Sequence, residues 1–159
     1  MEIRRLVPDD AEAAVEVINT AAAWYAEFLG ELHESEMDLD EWRAEAGRMQ
    51  WYGAFDGVQL LGLMGLEYID DVALFRHAYV LPEHQRSGVG VALGAHLEAE
   101  VAGVDRIVVG TYRANYKARQ ILEKGGYVES PDPESVLRRY YDIPEDRLQT
   151  SLTYEKTIR

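Results

Sequence analysis

Residues 79–90 read Tyr-Val-Leu-Pro-Glu-His-Gln-Arg-Ser-Gly-Val-Gly, and their types and spacing suit the binding of an anion. A β-branched and aromatic run ends near Val80, a polar loop follows Pro82, and Gly88 and Gly90 open an apolar run with helical spacing. The first N–H groups of a helix have no acceptor inside it. Residues without Cβ let a ligand approach those groups closely. The helix dipole adds partial positive charge there and Arg86 a full one. Together they make a turn suited to a phosphate or diphosphate. A glycine-rich turn that binds nothing would carry the same residues.

Two familiar phosphate loops fit poorly. A Walker A loop requires Gly-Lys-Ser/Thr, and this segment has no Lys. A dinucleotide fingerprint sets its first Gly directly behind a strand and a third Gly at the close-packing position. Leu93 holds that third position, Gly94 suits only a longer variant spacing, and the Leu81–Ser87 loop is long and charged.

The elements that must hold this turn follow from pattern. Glu2–Leu6 predicts a first strand. Asp9 or Asp10 then caps an Ala-rich helix running to about Leu29, with Gly30 as its stop. Ala14, Val15, Ile18, Ala22 and Tyr25 fall on one side of that helix. An acidic stretch leads into a short helix around Glu41–Arg48. Trp51–Phe55, Leu60–Ile69 and Val72–Val80 predict an antiparallel meander, turned at Asp56-Gly57 and Asp70-Asp71. Gly88–Ala102 predicts a helix: Val89, Leu93, Leu97 and Val101 recur every four residues, and Ala92, Ala95 and Ala99 allow close packing. Arg106–Thr111 predicts a buried strand, Asn115–Lys124 a helix, Tyr127-Val128 a strand start, Pro133–Tyr141 an inserted helix and Gln149–Lys156 a closing strand. The fold class is a mixed α/β sheet, antiparallel and parallel in part, flanked by helices. No repeat or Pro/Gly linker divides residues 1–159, so a single domain is expected, with a short helical insertion near 131–147.

The chain of 159 residues carries 29 Asp and Glu against 16 Lys and Arg, a formal net charge of −13. That balance disfavours nucleic acid and anionic membrane as partners. No apolar run is long enough for a bilayer span, and Met1–Asp10 lacks a signal-peptide core, so a cytoplasmic location is expected. The absence of Cys removes thiolate metal sites and a Cys nucleophile. Only Lys117, Lys124 and Lys156 are lysines. An acidic, Lys-poor surface suits a high-salt cytoplasm, although a coding bias toward Arg gives the same composition. His33 with Glu31, Glu34 and Glu36 suggests a metal site less readily than a solvated acidic loop, so no metal is expected.

Gln85-Arg86-Ser87-Gly88-Val89-Gly90 resembles the Q/R-x-x-G-x-G/A motif of the GNAT superfamily of acyl-CoA N-acyltransferases. Val80-x-Pro82 fits upstream. Asn115-x-x-Ala118, followed by Glu123-Lys124-Gly125-Gly126-Tyr127, resembles that superfamily's second motif. The element order is similar over nearly the whole chain. Arg76–Val80, Leu137–Tyr141, Ile143-Pro144-Glu145 and Gln149-Thr150-Ser151 resemble a largely uncharacterised subgroup.

The resemblance implies acetyl-CoA as co-substrate. Its pantetheine arm would lie along Ala78, Tyr79 and Val80, and Arg86, Ser87, Gly88, Val89, Gly90 and Val91 would hold its diphosphate. Gln85 would shape the loop and Asn115 would contact the cofactor. The implied reaction is direct attack of a primary amine on the thioester. The acceptor would be a small molecule or a protein or peptide, and a homodimer is the implied assembly. His77 and Glu67 are candidate bases, because the amine must lose a proton before attack. Tyr79 and Tyr112 would shape the acceptor pocket, and Tyr112 and Tyr116 lie near enough in sequence to be considered as acids. Trp24, Tyr25, Phe28 and Trp42 are core or acceptor pocket. The Tyr that protonates the leaving thiol in the family falls at Leu122 here. A non-catalytic acyl-CoA-binding module on the same fold is therefore the alternative reading.

Overall fold

The computed structural model describes residues 1–28 and 36–158, Phe28 by its backbone alone. The chain opens with β1 (Glu2–Arg5), makes one turn of 3-10 helix at Pro8–Asp10 and enters α1 (Ala11–Phe28). Asp10 is used by the turn. Its carboxylate accepts Val7 N–H at 2.7 Å and the two terminal nitrogens of Arg4 at 2.9 and 3.0 Å. The Arg4 guanidinium holds the Asp10 carboxyl below its ordinary range. Along α1, Ala11, Ala14, Val17, Ile18, Ala21 and Ala22 are buried, at the three- and four-residue steps of one helix face. The expected stop at Leu29-Gly30, and His33 with its neighbouring Glu31 and Glu34, lie outside the described residues.

The next helix, α2 (Leu39–Ala46), starts two residues before the expected Glu41. Asp38 is its N-cap and accepts Glu41 N–H at 2.8 Å, while Glu41 accepts Asp38 N–H at 3.4 Å. This reciprocal pair satisfies two donors at the helix start. Asn19 ties the entry to α1 through both the N–H and C=O of Met37, each at 2.8 Å.

The meander follows as β2 (Gln50–Asp56), β3 (Gln59–Ile69) and β4 (Val72–Val80). Its turns use left-handed residues, Gly57 at φ +61° and Asp70 at φ +53°, two types that tolerate that conformation. Leu60 through Glu67 are buried without interruption along β3. This is the pattern of a strand covered on both faces. Then come α3 (Val89–Glu100), β5 (Arg106–Tyr112), α4 (Tyr116–Lys124), β6 (Val128–Glu129), α5 (Pro133–Tyr140) and β7 (Ser151–Thr157). In α3 the buried residues are Val89, Leu93 and Leu97. Ala95 and Ala99 are exposed and, contrary to the sequence expectation, serve no close packing.

The seven strands are ordered β1-β2-β3-β4-β5-β7-β6. β4 and β5 are parallel, joined through α3, whereas β1/β2, β2/β3, β5/β7 and β6/β7 are antiparallel. The parallel ladder runs from Val72↔Arg106 to Phe75↔Val109. The chain divides into two compact units. The first holds Met1–Glu67 and His77–Val101, the second Tyr68–Arg76 and Ala102–Arg159. β4 contributes to both, with the change at Arg76/His77.

The first unit packs α1 and α2 through Ala14, Val17, Ile18, Ala21 and Trp42 onto Trp51, Phe55, Leu60, Leu63 and Tyr79. The second packs Val72, Leu74 and Val108 with Tyr140 of the inserted α5. Asp132 caps α5 by accepting Ser135 N–H at 3.2 Å. Arg138 on α5 pairs with Glu134 and Glu145, which raises its pKa and lowers that of Glu145. Among the described residues, no helix is long and apolar enough to cross a membrane.

Candidate active site

The glycine turn lies wholly in the first unit. After Val80 the chain makes one 3-10 turn at Pro82–His84. Gln85 Nε2 donates to Val80 C=O at 3.2 Å, and Ser87 Oγ donates to His84 C=O. Gln85 ties the loop to the strand end, and Ser87 closes a turn within the loop. Arg86 at φ +68° and Gly88 at φ +85° turn the backbone into α3. Gly88 is the N-cap, and the helical ladder opens with Ala92 N–H on Gly88 C=O at 2.9 Å. The N–H groups of Gly88, Val89, Gly90 and Val91 precede that ladder and have no acceptor within the helix.

Space is left in front of the turn. A Cβ on Gly88 would meet nothing within 4 Å, and one on Gly90 only Val80 Cγ2 at 3.8 Å. Behind it the packing is tight. A Cβ on Gly62 would stand 3.0 Å from Tyr79 O and 3.1 Å from both Val80 Cγ2 and Val89 Cγ1. The Val89 side chain is therefore core, and what Val89 offers a ligand is its N–H. Arg86, Ser87, Gly88 and Val91 are exposed, while Gln85 and Gly90 are half-buried. This combination of open N–H groups, a cationic residue and a rigid base fits a diphosphate.

On β4, Ala78 is exposed, Val80 half-buried and Tyr79 buried, with its ring centroid 6.3 Å from that of Tyr25. His77 takes φ +55°, where non-glycine residues are uncommon. Its ring stacks on Trp51 at 5.5 Å, and Trp51 stacks on Trp42 at 6.0 Å. Its Nε2 stands 3.4 Å from Glu45 Oε1. Glu67 is buried at the end of the first unit's part of β3.

Tyr112 and Asn115 belong to the second unit. Tyr112 is half-buried and pairs with Ser151. Asn115 is the N-cap of α4, its Oδ1 accepting Ala118 N–H at 3.2 Å. The Asn-x-x-Ala spacing thus has a structural reason of its own, since a cap reaches the third residue on. Leu122 is half-buried in α4, Tyr116 is exposed and Tyr127 is buried. A shallow surface groove of Asp132, Glu134, Ser135, Arg138 and Arg139 also lies in the second unit, among the ion pairs of α5.

A family model for the acetyltransferase (GNAT) family matches residues 18–127, more than half of the chain. The chain belongs to the GNAT acetyltransferase family. The match takes in both the glycine turn and the Asn115 cap, and family membership implies acyl transfer from an acyl-CoA. No curated protein sequence matches significantly.

Solved GNAT structures share the fold at low identity. PaiA N-acetyltransferase from Thermoplasma acidophilum, in complex with coenzyme A, aligns over 98% of both chains at 20% identity and a TM-score of 0.71. The ribosomal-protein-S18-alanine N-acetyltransferase from Escherichia coli aligns over 99% of this chain and 93% of its own, at 20% identity and a TM-score of 0.69. A GNAT-family acetyltransferase from Staphylococcus aureus Mu50 aligns over 99% of both chains at 15% identity and a TM-score of 0.75.

Sequence reasoning passed over Glu45. No motif marks it, and 32 positions separate it from His77. Only the packing of α2 against the Trp51 region brings the two together.

Proposed function

We propose that this GNAT protein is an N-acetyltransferase that moves an acetyl group from acetyl-CoA to the primary amine of a small molecule, protein or peptide. The observation that carries the reading is the turn at Gly88. Four N–H groups at the start of α3 precede the helical ladder, and a Cβ on Gly88, which shares that turn with Arg86, would meet nothing within 4 Å. In that reading residues 1–159 work as one GNAT domain.

Acetyl-CoA, when bound, supplies a thioester that a neutral amine can attack. The chain's part is to hold, orient and deprotonate. The N–H groups of Gly88–Val91 and the Arg86 guanidinium would hold the diphosphate. Gln85, hydrogen-bonded to Val80 C=O, keeps those groups aimed in one direction. Ala78–Val80, at the end of β4 in the first unit, would offer their backbone to the pantetheine arm. His77, Glu67 and Tyr112 are the candidates for handling the amine's proton. The global charge of −13 opposes a polyanionic donor, so the attraction must be local and is cut off by salt within about 8–10 Å.

Calorimetric titration tests the reading. Acetyl-CoA should bind wild-type protein saturably, and Gly88→Glu, which fills and charges the turn, should abolish binding while the variant stays folded. Thiol release with a panel of primary amines then separates an enzyme from a binding module. No binding at millimolar acetyl-CoA, or normal binding by folded Gly88→Glu, refutes the assignment.

A further inference from the structure

In the first unit the indole Nε1 atoms of Trp42 and Trp51 and the imidazole Nε2 of His77 are buried and make no hydrogen bond among the described residues. The three rings form a column. Trp42 and Trp51 lie 6.0 Å apart at 26°, and Trp51 and His77 lie 5.5 Å apart at 28°. Both tryptophans are only 2% exposed, so the column is rigid and fixes the plane of the imidazole. His77 enters it from a left-handed backbone, φ +55°, which few non-glycine residues adopt. Backbone strain of this kind is held in place only by the surrounding packing.

The two edges of the imidazole differ. Nε2 is fully buried, yet the side chain as a whole keeps 24% exposure. The exposure therefore lies on side-chain atoms other than Nε2. Facing Nε2 is Glu45 Oε1 at 3.4 Å. The same oxygen lies 3.7 Å from Arg48 Nη2, so a cation balances the carboxylate on its outer side. At 3.4 Å the contact is long for a hydrogen bond, as catalytic contacts often are without substrate. Its sign is nonetheless settled by electrostatics. A lone pair on Nε2 would point at a carboxylate and be repelled, whereas an N–H there is attracted. A neutral imidazole in this setting carries its proton on Nε2 and its lone pair on Nδ1.

We propose that Glu45 is a positioning residue that holds His77 in the Nε2–H form, making Nδ1 the atom that takes the proton from the acceptor's ammonium group. The inference deepens the acetyltransferase reading and rests on it. The substrate arrives as R–NH3⁺. One proton passes to Nδ1, the freed nitrogen lone pair attacks the thioester carbon, and the C–S bond breaks. The second proton lost on forming the amide goes to the departing thiol. The imidazolium, balanced by Glu45, returns its proton to solvent. Imidazole is the side chain suited to taking and releasing a proton near neutral pH, and this selects His77 over Glu67 and Tyr112 for the step.

The test begins without substrate. Nitrogen-15 spectra of the histidine side chains distinguish the two neutral forms, and His77→Gln identifies the His77 signals among the four histidines. Wild-type protein should show His77 as Nε2–H at alkaline pH. Glu45→Gln, which keeps an acceptor oxygen, should retain that form, and Glu45→Ala should give a mixture. A wild-type Nδ1–H form, or an unchanged form in Glu45→Ala, overturns the proposal.

The kinetic arm uses acetyl-CoA and whichever primary amine the wild type acetylates fastest. His77→Gln should lower kcat about a hundredfold and Glu45→Ala about tenfold, with KM little changed and partial rescue in Glu45→Gln. Calorimetry separates the two layers. Wild-type protein that fails to bind acetyl-CoA sinks the acetyltransferase reading. Variants with intact binding and unchanged kcat sink the Glu45–His77 assignment alone, whereas an acetyl-CoA-bound wild type that releases no thiol with any amine is a binding module and sinks both.

Discussion

Gly88→Ala acts on the free protein through the backbone and on the cofactor complex through space, and a matched glycine separates the two. Gly88 stands at φ +85° with nothing within 4 Å of where a Cβ would be. The cost of Ala in the free protein is therefore conformational, about 1–2 kcal/mol for an L-residue in the left-handed region. For a chain of this size that lowers Tm by about 2–8 °C. Gly103, after α3, has φ +80° and the same empty surroundings, so Gly103→Ala should lose the same stability. Binding should divide them. In the proposed complex the methyl group of Gly88→Ala would compete with the diphosphate for the open space at the turn. Losing one charge-assisted hydrogen bond there costs about 1.5–3 kcal/mol, which weakens acetyl-CoA binding about 10- to 150-fold. Gly103→Ala should bind as wild type does. Thermal melts and titration calorimetry on the pair provide the assay. Equal stability loss with equal affinity would refute the diphosphate role of the Gly88 turn.

Three further outcomes follow from the packing. Gly62→Ala should destabilise by about 1–3 kcal/mol through overpacking, because its Cβ would press on Tyr79 O, Val80 Cγ2 and Val89 Cγ1; weaker acetyl-CoA binding should accompany the lower Tm as the base of the turn shifts. Asp10→Asn should cost about 1 kcal/mol at neutral pH, allowing for solvent at the half-exposed Arg4. The Arg4 contact depresses the Asp10 pKa, so its stabilisation is full above the ordinary carboxyl value of about 4 and fades as pH falls through the folded value. Denaturant curves of the two proteins should thus differ at pH 7 and converge in acid. Asn115→Ala should cost about 1 kcal/mol by uncapping α4, while Asn115→Asp should hold stability near wild type in the same denaturant assay.

The readable part of the molecule is what local chemistry dictates. Asp56-Gly57 and Asp70-Asp71 are turns because Gly57 and Asp70 accept left-handed backbone. The Gly88 turn and the Asn115 cap are likewise written in residues that sit side by side in the chain, and the strand and helix order around them follows from apolar spacing. What needed the structure is contact between distant segments. The start of α2 lies at Leu39 and not Glu41 because Asp38 takes the cap, a role its neighbour Asp40 fits equally well by type. Ala95 and Ala99 look like packing residues by type, but α3 buries only the Val89, Leu93 and Leu97 stripe. Glu67 could equally have been a solvated strand residue; its burial reflects coverage of both faces of β3, which one strand's sequence does not reveal. Glu45 lacks any local signal, because its partner His77 reaches it only through the ring column of Trp42 and Trp51.

The most direct test of the central claim reads the four N–H groups themselves. In an amide-resolved nitrogen-15 titration with acetyl-CoA, the Gly88, Val89, Gly90 and Val91 signals should move together, saturably and with the largest shifts in the chain, and the amides flanking Gly103 should stay in place. Saturating acetyl-CoA that leaves those four signals unmoved would contradict the account.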